Sequence, residues 1–157
     1  MKSRCIDLEI QGGIIRRFTD LVLDYTGTLS LDGTLLPGVA ERLIGIASGL
    51  RITIMTADTF GMAAEQTKGL PVDFRIIRIG IEKADAVSMM GGENVIAVGN
   101  GRNDVPMMSR AGLSIAVIGP EGVSAELIHA SDIVVRDICD ALDLIIHPLR
   151  LKATLRD

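Results

Sequence analysis

Asp24, Thr56, Lys83, Asn100 and Asp104 sit beside short apolar runs. Leu21-Val22-Leu23 ends in Asp24-Tyr25-Thr26-Gly27-Thr28-Leu29, and Ile52 to Met55 ends in Thr56-Ala57-Asp58. Val95 to Val98 ends in Gly99-Asn100-Gly101-Arg102-Asn103-Asp104, and Lys83 opens a helical stretch just before that run. A carboxylate such as Asp24 can attack phosphorus and form an aspartyl phosphate, which divides one hard displacement into two easier ones. Its second oxygen, the Thr26 carbonyl, Asn100 and Asp104 supply an oxygen-only set of the kind Mg²⁺ takes. The Thr56 hydroxyl and the Lys83 ammonium suit phosphoryl oxygens and can stabilise their charge. Ala57, which follows Thr56, and Tyr25, which follows Asp24, join them as expected phosphate-binding residues. Glycines at 27, 99 and 101 let backbone N–H groups approach an anion.

These groups can meet only if the chain places the ends of its apolar runs at one edge. The pattern supports that. Apolar runs at 21–23, 52–55, 74–77, 95–98, 114–118 and 133–135 alternate with helical stretches at 37–50, 61–68, 83–90, 105–110, 124–130 and 138–149. Alternating strands and helices imply parallel β-α-β units with right-handed crossovers. Sheets of this kind carry their chemistry at the carboxyl ends of the strands. The expectation is a Rossmann-like three-layer α/β/α fold with a mostly parallel sheet. Cys5 to Ile10, a turn at Gln11-Gly12-Gly13, and Ile14-Ile15 read as an N-terminal β-hairpin. The division expected is one domain over 1–157, with 1–19 as the hairpin extension.

Composition narrows the classes. The chain has 157 residues, 48% of them hydrophobic but only 3% aromatic. An aliphatic core of that kind suits buried parallel strands. Net charge is −4 and no basic stripe with interleaved aromatics occurs, so nucleic acid is not an expected partner. No apolar run reaches the roughly 20 residues of a membrane span, so no membrane partner is expected. Met1-Lys2-Ser3-Arg4 is followed by no apolar signal segment. Cys5 and Cys139 lie far apart in no metal-binding spacing and read as idle thiols of a reducing cytoplasm.

The motifs together resemble the haloacid dehalogenase superfamily. Asp24-Tyr25-Thr26-Gly27-Thr28-Leu29 is similar to its first motif, and closer still to the Asp-Lys-Thr-Gly-Thr phosphorylation motif of P-type ATPases. Thr56-Ala57-Asp58 resembles the Thr-Gly-Asp second motif, Lys83 stands where the third-motif lysine is expected, and Gly99 to Asp104 with Val105-Pro106 resembles Gly-Asp-Gly-x-Asn-Asp-Ala-Pro. The resemblance runs from about Leu21 to the C-terminal helix. The group most similar is the small soluble P-type-ATPase-like hydrolases. It implies Asp24 as nucleophile, Thr56 and Lys83 as phosphate ligands, and Mg²⁺ held by Asp24, the Thr26 carbonyl, Asn100 and Asp104. The implied reaction is phosphoester or phosphoanhydride hydrolysis of a phosphorylated small molecule or macromolecule.

Two positions depart from the family. Phosphatases of the superfamily usually carry a general acid/base two residues after the nucleophile, where this chain has Thr26. The usual first acid of the fourth motif is here Asn100. Neither the interval from Asp24 to Thr56 nor that from Thr56 to Lys83 can hold a cap domain, since each is about 30 residues or fewer. Ser30 to Leu36, with Asp32-Gly33 at its turn, reads as a flap. An uncapped site must act on a large or exposed substrate or borrow a lid, and a homo-oligomer is one way to supply it. Asp58 reads as a cap for the helix after Gly61, and His129 and His147 as exposed or structural. The alternative function is a slow or non-catalytic phospho-acceptor module. A response-regulator-like receiver is disfavoured because no acid pair precedes Asp24.

Overall fold

The computed structural model describes residues 4–58 and 61–156. Its centre is β3 (Asp20–Asp24), whose five residues are all buried. Parallel neighbours lie on both sides, with β6 (Arg51–Thr56) on one and β8 (Val95–Gly99) on the other. Outside β6 runs β7 (Asp73–Ile76); outside β8 run β9 (Leu113–Val117) and β10 (Ile133–Val135), giving the order β10-β9-β8-β3-β6-β7. Every pairing in this sheet is parallel.

A continuous apolar run is what a strand covered on both faces requires. Side chains alternate between the faces. Leu21, Leu23, Ile52, Ile54, Ile96 and Val98 face one core. That core is closed by α1 (Val39–Ile46), α6 (Ile138–Ile146) and α7 (Pro148–Leu155). Val22, Met55, Val95 and Ala97 face the other, closed by α3 (Gly80–Met89), α4 (Val105–Met108) and α5 (Ala125–Ala130). The result is the three-layer α/β/α arrangement that the alternation implies.

The N-terminal hairpin forms as expected, with β1 (Ile6–Ile10) antiparallel to β2 (Ile14–Phe18). Leu8 and Phe18 drop into the first core, and Asn94 Nδ2 donates to the Arg17 carbonyl at 2.8 Å. The flap is a second hairpin, β4 (Ser30–Leu31) with β5 (Thr34–Leu35). Asp32 and Gly33 both have positive φ, the tight two-residue turn that Asp-Gly favours. The flap leans on α2 (Met62–Gln66), where Gln66 Oε1 accepts from the Leu35 N–H. Between Asp24 and Lys83 the described residues build only this flap, α1, β6, α2, β7 and the first turn of α3, with no cap.

Three helices differ from expectation. The helix expected over 37–50 covers only Val39–Ile46, because Gly38 takes a left-handed φ of 83° and the end closes by N–H donation from Gly49 and Leu50 to Ile46. The single helix expected over 138–149 is two. Pro148 lacks an N–H and disfavours helical backbone before it, so the chain turns at His147 (φ −117°, ψ 74°). Lys83 does not open its helix but lies within the first turn of α3, which begins at Gly80.

Candidate active site

Asp24 is the last residue of β3 and is 5% exposed. Its Oδ1 accepts from Lys83 Nζ at 2.7 Å, and its Oδ2 from Thr28 Oγ1 at 3.2 Å. Lys83 shares the inner face of α3 with Ala84, Ala86 and Val87, so its ammonium runs down to the strand ends and is 1% exposed. Its other bond, 2.6 Å, is to Asp104 Oδ1.

Asp104 is wholly buried. Its Oδ2 accepts from the N–H groups of Asn100 and Gly101 at 3.1 and 3.0 Å. A Cβ on Gly99 would stand 2.5 Å from that oxygen, so only glycine lets the carboxylate in. The glycine loop after β8 therefore cradles an anion of its own rather than a substrate group. The resemblance puts Asp104 among the metal ligands; in the structure one of its oxygens accepts from Lys83 and the other from the loop N–H groups, so it orients both.

Asn100 reaches the site by its amide. Thr28 Oγ1 lies 3.0 Å from Asn100 Oδ1, and Asn100 Nδ2 donates to the Gly122 carbonyl at 3.0 Å. Since a carbonyl can only accept, the nitrogen must face Gly122 and the oxygen must face the nucleophile. Gly27 (φ 75°) makes room: a Cβ there would stand 2.5 Å from Asn100 Nδ2. Thr28 stands in the first motif, yet motif reading assigns it no role. The signal that could find it is its place four residues after Asp24.

Thr56 ends β6 and is 2% exposed. Its hydroxyl oxygen accepts from the Asp58 N–H at 3.1 Å, which leaves its proton free to donate. Asp58 caps α2, its Oδ1 accepting from the Ala63 N–H at 3.1 Å, as expected. The Tyr25 side chain points away from the phosphate ligands. Its hydroxyl donates to the Gly33 carbonyl in the flap at 2.7 Å, and burial with the nearby Asp58 charge pushes it up to about 12. With its ring turned to the flap, Tyr25 has only its backbone to offer on the Asp24 side. Thr26 is exposed. Thr26 and Ala57 line a cavity of about 320 Å³ with Tyr25, Asp32, Asp58 and Glu121. Arg102 pairs with Glu126 at the surface, and His129 and His147 are exposed.

The electrostatics are unbalanced. Two buried carboxylates face one buried ammonium. Burial, and then the Asp104 charge, outweigh Lys83 and raise the Asp24 carboxyl to about 7. Burial opposes the Lys83 ammonium, but the two carboxylates outweigh it and hold the group above its ordinary value.

Comparison with known proteins decides the family. Haloacid dehalogenase-like hydrolases match residues 52–139, more than half of the chain. The chain belongs to this family. An uncharacterized protein of Methanocaldococcus jannaschii is 54% identical over 65 residues, 41% of this chain and 70% of that protein. The haloacid dehalogenase fold is shared with 3-deoxy-D-manno-octulosonate 8-phosphate phosphatase from Moraxella catarrhalis, solved with a magnesium ion, a phosphate ion and KDO. The TM-score is 0.68 at 17% identity, over 83% of this chain and 87% of that one. A zinc-transporting PIB-type ATPase superposes with TM-score 0.64 at 24% identity, over 76% of this chain and 20% of that one. The family and the fold thus agree with the resemblance in the motifs. No helix among the described residues is long and apolar enough to cross a membrane.

Proposed function

We propose that this hydrolase is a Mg²⁺-dependent phosphohydrolase acting through an aspartyl phosphate on Asp24. The observation that carries the reading is the buried trio Asp24, Lys83 and Asp104, with one negative charge in excess at the carboxyl end of the central strand. A divalent cation fits that excess and the oxygen-only donors beside it. Asp24, the Thr26 carbonyl, Asn100 and Asp104 would hold the ion. When bound, it would neutralise phosphoryl oxygens and favour the ionised nucleophile. The magnesium and phosphate ions of the Moraxella enzyme support this reading.

The chain's own residues divide the work. One Asp24 oxygen bonds to phosphorus as the bond to the leaving oxygen breaks, and the leaving group takes its proton from solvent. Lys83 turns from Asp24 to a phosphoryl oxygen while Asp104 keeps hold of it. Thr56 donates its free hydroxyl proton to a second phosphoryl oxygen. Water then attacks phosphorus as the bond from phosphorus to the Asp24 oxygen breaks, its proton passes to solvent, and phosphate and the Asp24 carboxylate are released. The cavity beside Thr26 and Ala57 takes the leaving group of a phosphorylated substrate. The free Cys5 and Cys139 fit a cytoplasmic place of work.

One observation favours a slow form of this function. Thr26 stands where an acid/base would serve the second step, and a hydroxyl is a poor proton carrier near neutral pH. The phospho-acceptor reading is thus the limit of the same chemistry with a long-lived intermediate.

The deciding experiment compares wild type and Asp24→Asn on para-nitrophenyl phosphate with Mg²⁺ and with EDTA. Hydrolysis and any hydroxylamine-labile phosphoenzyme should vanish in the variant and in EDTA. Retention of more than about a tenth of the rate would remove Asp24 from its role; a tenfold cut corresponds to only ~1.4 kcal/mol of barrier.

A further inference from the structure

Asn100 departs from the acid of the family motif, and the structure gives that departure a partner. Its side-chain nitrogen donates to the Gly122 carbonyl at 3.0 Å, and its own carbonyl accepts from the Ser124 N–H at 2.9 Å. Both bonds reach the loop that joins β9 to α5, Gly119 to Ser124. The start of that loop is tied by donation from the Ile118 and Gly119 N–H groups to Val135 and Arg136, both at 2.9 Å. Gly119 also runs close to the nucleophile loop, where a Cβ would stand 3.2 Å from the Gly27 carbonyl. Between these anchors Glu121 faces the cavity lined by Thr26, Ala57 and Asp58.

We propose that Asn100 latches the Gly119–Ser124 loop onto the nucleophile loop, which makes this loop a wall of the substrate cavity. The chemistry selects an amide. An acid at 100 would set a carboxylate oxygen against the Gly122 carbonyl, two acceptors with no proton between them. The amide instead gives its nitrogen to the loop and its oxygen to Thr28 and the side that faces Asp24. A single side chain thereby joins the loop that bounds the substrate to the loop that bears the nucleophile. The wall rests on the phosphohydrolase reading; the latch does not.

Two variants strain the latch from its two ends. Asn100→Asp breaks the side-chain latch. Gly122→Ala keeps the Asn100 side chain and meets no atom within 4 Å, but its φ of +85° strains any residue with a Cβ, which loosens the loop and with it the carbonyl that Asn100 holds. In metal-free protein, hydrogen exchange of the amides of Gly119 and of residues 121–124 should quicken about fivefold to tenfold in both variants, the size expected for one or two lost hydrogen bonds. At saturating Mg²⁺, Gly122→Ala should raise KM for para-nitrophenyl phosphate several-fold and leave kcat within about twofold, since uniform binding is what a wall supplies. Unchanged exchange in folded Asn100→Asp overturns the latch. Faster exchange with unchanged KM in Gly122→Ala overturns the wall. A wild type that cleaves no para-nitrophenyl phosphate removes the phosphohydrolase reading and the wall with it, while the exchange measurement still decides the latch.

Discussion

Lys83 Nζ lies 2.6 Å from Asp104 Oδ1, and Asp104 spends its other oxygen on the backbone of its own loop. The lysine is therefore fixed from behind by a residue that faces the backbone, while its remaining direction points at Asp24. Removing the cation should expose how costly the two carboxylates are. Lys83→Met should destabilise the metal-free protein by about 3–5 kcal/mol at pH 8, the range for breaking a buried ion pair from one side. Part of this loss should return at pH 5, when a carboxyl can take up a proton. Urea unfolding at both pH values checks it, and equal losses at the two would mean that the carboxylates do not share a buried site.

Asp24 itself makes metal-free stability depend on pH. Its carboxyl is raised in the folded chain from the ordinary 3.8 to about 7. Between those values the folded form holds a proton that the unfolded chain has released. Stability is then highest at the acid end of the window and falls as pH rises through it, flattening above about 7. The melting temperature in EDTA should drop from pH 5 to pH 7.5. Asp24→Asn cannot ionise and should flatten that drop. By the same proton count, Mg²⁺ affinity should rise with pH over this window, because binding releases the proton. Calorimetric titration in two buffers of different ionisation enthalpy would count it.

Thr28 Oγ1 lies within hydrogen-bond reach of both Asp24 Oδ2 and Asn100 Oδ1, and its single proton serves one of them at a time. Thr28→Val keeps the shape and removes the one donor the two oxygens share. Mg²⁺ affinity should fall about tenfold, ~1.4 kcal/mol, and Thr28→Ser should restore most of it. Titration calorimetry on all three proteins is the check. Equal affinity in Thr28→Val would show that the two oxygens hold their places unaided.

How far the sequence carries this picture depends on the range of each interaction. The sheet and its site edge are legible because apolar runs and the polar residues after them are local patterns. Asp24, Lys83 and Asp104 meet in hydrogen-bond contact, and Thr56 ends the strand beside Asp24. The Asp32-Gly33 turn is equally local, fixed by two positive φ values. What escapes depends on contacts distant in sequence. Nothing near Asn100 announces that Gly122 will offer it a carbonyl, and nothing near Asp104 announces that Gly99 is empty to admit its carboxylate. Tyr25 looks like a phosphate neighbour by adjacency, yet its ring leaves the site to close on the flap. The break at His147 is readable from Pro148, but a continuous apolar pattern masks it.

Thr26 provides the sharpest test of mechanism. It is exposed at the mouth of the cavity, next but one to the nucleophile, so a longer side chain there has room to reach a bound phosphoryl group. General acid–base help contributes roughly 10²–10⁴-fold where it acts, and this chain lacks it at that place. The phosphoenzyme should therefore accumulate, with burst kinetics whenever its formation outruns its breakdown. Thr26→Asp supplies a carboxylate that can take the proton of the attacking water. Breakdown should quicken by at least about tenfold, a conservative share of that range, and the steady-state phosphoenzyme should fall. The cost is a third carboxylate near Asp24 and Asp104, which raises the demand for Mg²⁺ but is softened by solvent at an exposed position. Rapid-quench measurement of phosphoenzyme, with steady-state rates on the same substrate, separates the two steps. An unchanged breakdown rate in a folded, Mg²⁺-binding Thr26→Asp protein would mean that proton transfer at position 26 does not limit turnover. The slow step would then lie in the release of Asp24 from phosphorus, governed by Lys83 and Thr56 rather than by the residue that replaces the acid.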